Sequence, residues 1–166
     1  MSRSTAFEIK FGKELVELAE YGNGHGAAPV IWGAMCVKYL GAKNEWAWMG
    51  NDDLWGLYKR EDIPEHHRAV LVMTFDHAYL SRKNFKRAAK DIRAFLADFP
   101  VNADYVNHWP KIADLLDTLD CRNFGIYHTS VSENPFYKYG REGGTRVRKK
   151  SECYEVYETV ASKGAA

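Results

Sequence analysis

A single apolar stripe constrains this chain more than any other feature of its sequence. Between Asn84 and Pro100 the apolar residues recur at i, i+3, i+4, i+7, i+10, i+11 and i+14, namely Phe85, Ala88, Ala89, Ile92, Phe95, Leu96 and Phe99. That period predicts one amphipathic helix whose apolar face the rest of the fold must cover. Asn84 is suited to cap the start of this helix, and Pro100 ends it.

The neighbouring segments predict the elements that cover it. "AFEIKF" (6–11) alternates apolar and charged residues, which predicts a half-buried strand, and "KELVELAEY" (13–21) predicts a short helix. "PVIWGAMCVKYLG" (29–41) predicts a helix buried nearly all round, because only one of its residues is charged. "WPKIADLLDTL" (109–119) predicts a further helix, with a proline in its first turn.

Strand composition marks several other segments. "EWAWMG" (45–50) and "LWGLYKR" (54–60) are rich in aromatic and apolar residues. "RAVLVMTF" (68–75) is an unbroken apolar run and predicts a central strand. "NFGIYHTSV" (123–131) predicts a late strand, whereas "ECYEVYETV" (152–160) fits either a strand or a short helix.

The order of these elements predicts a single α+β domain. We expect a mostly antiparallel sheet with helices on one face, in a ferredoxin-like βαββαβ arrangement with an extra helix pair. The globular domain should cover 1–137, followed by a basic, glycine-containing loop or arm over 138–151. A terminal strand or helix and a tail should occupy 152–166.

Composition limits the functional classes. The proportions of hydrophobic residues (46%) and charged residues (27%) are typical of an ordinary soluble domain. A net charge of +1 predicts weak overall attraction for nucleic acid. Three cysteines without CxxC spacing favour a reducing compartment. The N-terminus has no apolar signal region, and no run approaches the roughly 18 apolar residues of a membrane span. We therefore expect a cytoplasmic location and no membrane partner, with the oligomeric state left open.

The stretch "YGNGHGAAPVIWG" (21–33) contains glycines at alternate positions, Gly22, Gly24 and Gly26. A dinucleotide-binding loop requires GxGxxG directly after a strand and before a helix. Here the spacing is GxGxG and the preceding segment predicts a helix. We therefore expect Gly22 to end that helix in the left-handed conformation and the remainder to turn the chain, with weak anion binding as the alternative.

The histidines do not predict a metal site. Glu65, His66 and His67 precede the predicted strand 68–75, and Asp76 and His77 follow it. An extended chain of that length separates the two groups by about 26 Å, so they cannot share one ion. The sequence also has none of the usual zinc-binding or nucleophile motifs. We expect no metal, no cofactor and no assigned catalytic residue, and we leave open whether the chain is an enzyme.

Basic residues concentrate on one face of the 85–99 helix and in the late arm. This basic surface is the candidate partner-binding site, and its members are Lys83, Lys86, Arg87, Lys90, Arg93, Arg146, Arg148, Lys149 and Lys150. The alternatives are a solvated helix face and a surface that binds an acidic protein patch or, weakly and through the arm, a phosphate backbone.

A polar loop directly after the 123–131 strand is a second candidate. Loops at strand ends often carry ligand-binding groups, and this one offers an imidazole, hydroxyls, a carboxylate and an amide. The candidate ligand residues are His128, Ser130, Ser132, Glu133 and Asn134. The alternative is an ordinary turn, which the Asn-Pro dipeptide favours.

Two resemblances follow from local motifs. "GAAPVIWGAMCVKYLG", "PEHHRAVLVMTFDHAYLSRKNFKRAAKDIRAFL" and "TSVSEN" together resemble small, largely uncharacterised proteins encoded by bacteriophages, over about residues 27–135. That resemblance implies a protein that inhibits a host enzyme or defence complex in the host cytoplasm.

"DDLWGLYKRE" (52–61) is similar to a stretch of the phage enzymes that degrade S-adenosylmethionine. Those enzymes have a ferredoxin-like core, hold their ligand between subunits and use a tyrosine and a glutamate. The resemblance implies that Tyr58 matches the tyrosine. Where the glutamate is expected this chain has His66 and His67, with Glu65 one position earlier, so Tyr58, Glu65 and His67 form the alternative catalytic set.

Taken together, these observations favour a phage-type protein that binds and inhibits a host macromolecule, a defence or nucleic-acid-processing complex. The aromatic content of 14% predicts either a core of large rings or a recognition surface. The alternative is an enzyme or binder that acts on S-adenosylmethionine or a related nucleotide.

Overall fold

The computed structural model describes residues 3–76, 78–128 and 148–162. Five strands in this part of the chain form one sheet in the order β2-β1-β4-β3-β5. Their bounds are Arg3–Glu8 (β1), Val16–Gly22 (β2), Ala78–Ser81 (β3), Asn123–His128 (β4) and Tyr154–Glu155 (β5). β1 pairs antiparallel with both β2 and β4, and β3 pairs antiparallel with β4 and parallel with β5. The expected α+β domain with a mostly antiparallel sheet is confirmed.

Five α-helices accompany the sheet in the described residues. They are Ala28–Leu40 (α1), Glu65–Met73 (α2), Phe85–Asp98 (α3), Trp109–Thr118 (α4) and Val156–Ala161 (α5). Their buried residues join one core cluster with Ala6, Leu80 and Phe124 of the sheet. Among the described residues, the other face of the sheet carries a small cluster of Phe7, Ile9 and Leu15. The helices therefore lie on one face, as expected.

The amphipathic stripe forms α3 as predicted, but Asn84 does not cap it, because its side-chain amide donates to Glu155 instead. Phe85, Ala88, Ala89, Ile92 and Phe95 are buried, and the N–H of Phe99 bonds to the carbonyl of Phe95 at the end of the helix. The predicted positions of α1 and α4 also hold, with a proline in the first turn of each. Gly41 adopts φ 67° just past α1, the left-handed conformation that suits glycine at a helix end.

The prediction of a helix over 13–21 is wrong. Val16–Gly22 forms strand β2, which pairs with β1 in a hairpin. Leu15, Val16, Leu18 and Ala19 fit both a helical and a strand pattern, and pairing with β1 decides between them. Gly22 therefore ends a strand. The left-handed residue of this stretch is Asn23 with φ 60°, and a short 3-10 turn, Gly24–Gly26, leads into α1.

The prediction of a central strand over 68–75 is wrong for a related reason. Its apolar run lies in α2, which packs against α1, α3 and α5. A helix enclosed by other helices can be apolar all round, so a short unbroken apolar run does not distinguish it from a buried strand. The succession of elements consequently departs from βαββαβ, since β1 and β2 are joined directly and α2 replaces a strand.

The aromatic segments 45–50 and 54–60 are also not strands. Residues 45–50 form turns, and Asp52–Lys59 is a 3-10 helix. Two of their tryptophans join a local cluster, since the rings of Trp48 and Trp55 lie 5.0 Å and 5.3 Å from the ring of Trp32 on α1. Residues 152–160 combine both alternatives left open for them, because β5 runs directly into α5.

Candidate functional site

The outer face of α1 forms the floor of an open groove of about 850 Å³, here called the α1 groove. Val30, Ala34, Val37 and Lys38 line it at i, i+4, i+7 and i+8, one face of the helix. The opposite face of α1 is in the core. The helix is therefore apolar all round because one face covers the core and the other lines the groove, which corrects the expectation of burial on nearly every side.

Two chain segments form the walls of the α1 groove. One is the turn segment that carries Glu45 and Trp46, and the other is the connection between α3 and α4, which includes Tyr105. Interaction with the side chain of Glu45 raises the pKa of Tyr105 above its ordinary value, so the two walls approach each other at this point. The groove is thus assembled from segments distant in the sequence.

Two glycines permit the close packing around the groove. A Cβ on Gly33 would lie 2.5 Å from the carbonyl oxygen of Glu45, so that wall crosses α1 where no side chain fits. A Cβ on Gly26 would lie 2.8 Å from Val106. The N–H of His108 donates to the carbonyl of Gly26 at 2.8 Å. The glycine-rich stretch turns the chain and packs against the segment before α4.

The α1 groove combines exposed apolar side chains with an acidic rim. Seven large hydrophobic residues are exposed among the described residues, and four of them line this groove, namely Val37, Trp46, Tyr105 and Val106. The charged lining residues are three carboxylates, Glu45, Asp98 and Asp104, and one ammonium group, Lys38. Such a surface suits an apolar ligand that carries positive charge.

A cluster of two imidazoles and a carboxylate adjoins one end of the α1 groove. Nε2 of His66 and Nε2 of His67 lie 2.7 Å and 2.8 Å from the same Oδ2 atom of Asp98. The histidines occupy the first turn of α2, whereas Asp98 ends α3 and also lines the groove. We call these three residues the His-His-Asp cluster.

The surroundings of the His-His-Asp cluster hold His67 in one orientation. The hydroxyl of Tyr39 lies 2.5 Å from Nδ1 of His67, and the ring of His67 packs against those of Phe95 and Phe99 at 5.3 Å and 4.7 Å. Burial lowers the pKa of His67, although its hydrogen bond to Asp98 opposes that shift. Hydrogen bonds from His66 and then His67 lower the pKa of Asp98. A neutral His67 beside an ionised Asp98 is therefore the favoured state near neutral pH.

The sequence did not reveal the His-His-Asp cluster. The expectation of no metal site assumed an extended strand over 68–75 between the two histidines and Asp76. This assumption is wrong, because the segment is helical. The carboxylate that completes the cluster is Asp98, which lies 31 residues beyond His67. The adjacent His-His pair at the start of an apolar run was the one available signal, and it did not identify a partner.

The predicted basic surface is exposed along α3 but is largely engaged within the molecule. Arg87 pairs with Glu65 and lies 4.0 Å over the ring of Tyr157. Lys83 lies 3.4 Å from Glu158. Arg93 pairs with two aspartates of α4, Asp114 and Asp117, at 2.8 Å each. Lys86 and Lys90 are exposed beside them.

The basic arm is placed only from residue 148 onward. Arg148 is 1% exposed, with its guanidinium near the carbonyl of Ala78, so its side chain lies in the interior and is not presented to a partner. Lys149 and Lys150 are exposed. Arg146 and the loop candidates Ser130, Ser132, Glu133 and Asn134 lie outside the described residues, and His128 is the last residue of β4.

The alternative catalytic set does not share one site. Tyr58 packs edge-on against Phe75, with ring centroids 5.7 Å apart. Glu65 pairs with Arg87, whereas His67 is engaged by Tyr39 and Asp98. Each of the three residues therefore belongs to a different set of neighbours. The predicted action on S-adenosylmethionine gains no support from their placement and stays a prediction.

Comparisons with protein-family models, curated proteins and solved structures found no match to this chain. In the part of the chain that the structure describes, no helix has both the length and the apolar character to cross a membrane. The candidate sites therefore rest on the geometry of this molecule alone.

Proposed function

We propose that this protein is a binding protein that takes up a segment of a partner protein in the α1 groove. The observation that supports it is the concentration of exposed apolar side chains there, four of the seven in the described residues. Tryptophan and tyrosine are frequent anchors of protein interfaces, because they bury a large area at a low cost in side-chain entropy.

The charge of the groove specifies the chemistry of this segment. Three carboxylates and one ammonium group give the rim a net negative charge, so a segment with lysine or arginine beside aromatic or aliphatic residues complements it. The same charge disfavours a phosphate backbone. Inhibition of a host complex, the role expected from the phage-type resemblance, is compatible with such binding and stays a prediction.

A peptide-display experiment tests this proposal. We expect the purified full-length chain to enrich peptides that combine basic with aromatic or aliphatic residues from a random library. Val37→Asp and Trp46→Ala should weaken binding of an enriched peptide by more than about tenfold, since anchor residues in a groove dominate affinity. Met49→Ala is the matched control, because Met49 is 63% exposed and does not line the groove.

Two results would contradict the proposal. One is the enrichment of no peptide, or of peptides whose affinity is unchanged by both groove variants. The other is a concentration-dependent dimer of the chain that Val37→Asp dissociates, which would assign the groove to a second copy. Glu45→Lys provides a separate test of charge, since it should slow association and reduce its dependence on salt.

A further inference from the structure

We propose that the His-His-Asp cluster binds one divalent transition-metal ion of the Zn²⁺ type. The ligand atoms of His66, His67 and Asp98 all lie within 4.8 Å of one another. Two imidazoles and one carboxylate form the donor set of many mononuclear zinc and non-haem iron sites, with the remaining positions open to water or substrate.

The ligand atoms of the cluster are close enough to converge on one ion after a local adjustment. Tetrahedral bonds of about 2.0–2.1 Å place ligand atoms about 3.3 Å apart. Oδ2 of Asp98 now lies 2.7 Å and 2.8 Å from the two Nε2 atoms, so it must withdraw by roughly half an ångström to admit the metal. The side chain of Asp98 is 50% exposed at the end of α3, so it has room to withdraw toward solvent.

Tyr39 is a positioning residue for this site. A metal-bound histidine typically donates its other ring N–H to a polar neighbour, which fixes the ring and its tautomer. The hydroxyl of Tyr39 stands 2.5 Å from Nδ1 of His67 on the side away from Asp98. With the ion on Nε2, the proton of His67 resides on Nδ1 and is donated to the Tyr39 hydroxyl oxygen.

The surrounding charge favours a transition metal over a harder cation. The site supplies one carboxylate, and Lys38 is close enough to influence His67 electrostatically. Ca²⁺ and Mg²⁺ require mainly oxygen ligands and derive their affinity from negative charge. An ion that bonds strongly to imidazole nitrogen is therefore the expected occupant.

Titration of the untagged full-length chain, stripped of metal by a chelator, tests the proposal. We expect one equivalent of Zn²⁺ to bind in calorimetry, no binding of Mg²⁺, and visible ligand-field absorption with Co²⁺. His66→Gln and Asp98→Asn should each weaken Zn²⁺ affinity by at least about tenfold, and Tyr39→Phe by about tenfold with the stoichiometry retained. Asp120→Asn is the matched control, because Asp120 is an exposed carboxylate on Arg82.

His66 and Asp98 have partly exposed side chains, so their variants should remain folded, and circular dichroism checks this. The absence of saturable one-equivalent binding by the parent chain would overturn the proposal. Unchanged Zn²⁺ affinity in both folded variants would overturn it as well. A near-ultraviolet thiolate-to-cobalt band would also overturn it, since it would show that a cysteine binds the ion. None of these readouts depends on a peptide in the α1 groove.

Discussion

At the scale of single residues, one buried carboxylate joins three elements. Oε1 of Glu155 accepts hydrogen bonds from the N–H and hydroxyl of Ser81 and from the amide of Asn84. Oε2 accepts from the N–H groups of Tyr157 and Glu158 at the start of α5. The residue is 3% exposed, so water cannot replace these bonds if the carboxylate is removed.

Glu155→Ala should therefore lower the free energy of unfolding by about 2 kcal/mol or more, because it removes a helix cap and leaves buried donors without acceptors. Urea melts followed by circular dichroism measure this. Glu158→Ala, whose side chain is 67% exposed, should cost far less. Equal losses would mean that the Glu155 network adds no stability beyond an exposed ion pair.

Phe95 tests the phase of α3. It is 1% exposed, and its ring lies 4.7 Å from that of Phe99. Phe95→Ala should cost about 3–5 kcal/mol of unfolding free energy through lost burial and a residual cavity. Arg93→Ala, two residues away and exposed, should cost far less because surface ion pairs contribute little. Denaturant melts of both variants decide whether the stripe faces the core as described.

At the scale of elements, the α1 groove depends on how closely one wall approaches α1. Gly33→Ala places a methyl group against the backbone oxygen of Glu45, a contact that only a shift of the wall can relieve. We expect Gly33→Ala to displace the segment around Trp46, to change tryptophan fluorescence and to weaken binding in the groove.

Gly56→Ala is the matched control for this prediction. A Cβ at Gly56 meets no atom within 4 Å, so this variant should leave both fluorescence and groove binding unchanged. Indistinguishable behaviour of the two alanine variants would show that the wall adapts without cost.

At the scale of the whole molecule, stability should carry a pH dependence from Asp76. Burial raises the pKa of this carboxyl to about 6, while the nearby Arg148 guanidinium opposes the shift. The folded state then binds the proton more tightly than the unfolded state, so this group makes the free energy of unfolding fall as pH rises from about 4 to about 6. Above that range its contribution is constant.

Asp76→Asn removes the titrating group and isolates its effect. The difference in unfolding free energy between Asp76→Asn and the parent chain should shift in favour of the variant as pH rises from 4.5 to 7.5, measured by urea melts at each pH. A difference that does not change with pH would mean that the carboxyl keeps its ordinary pKa in the fold.

The sequence by itself determined the elements whose signals are local. The 3.6-residue stripe with its terminating proline specified α3, and a proline in the first turn marked the start of both α1 and α4. These signals act within a few residues, so they do not depend on the fold. The class of fold followed from the order of such elements. The exposed basic face of α3 followed from the period of the stripe, because residues opposite its apolar face point outward.

Only the tertiary structure decided the features that depend on contacts between distant residues. Segments 13–21 and 68–75 carry apolar patterns that fit a helix or a strand. Pairing with β1 makes the first a strand, and packing against other helices makes the second a helix. The α1 groove requires two connecting segments to meet over one helix face. The His-His-Asp cluster requires the start of α2 to meet the end of α3, because the 31 residues between His67 and Asp98 set no distance until the helices pack.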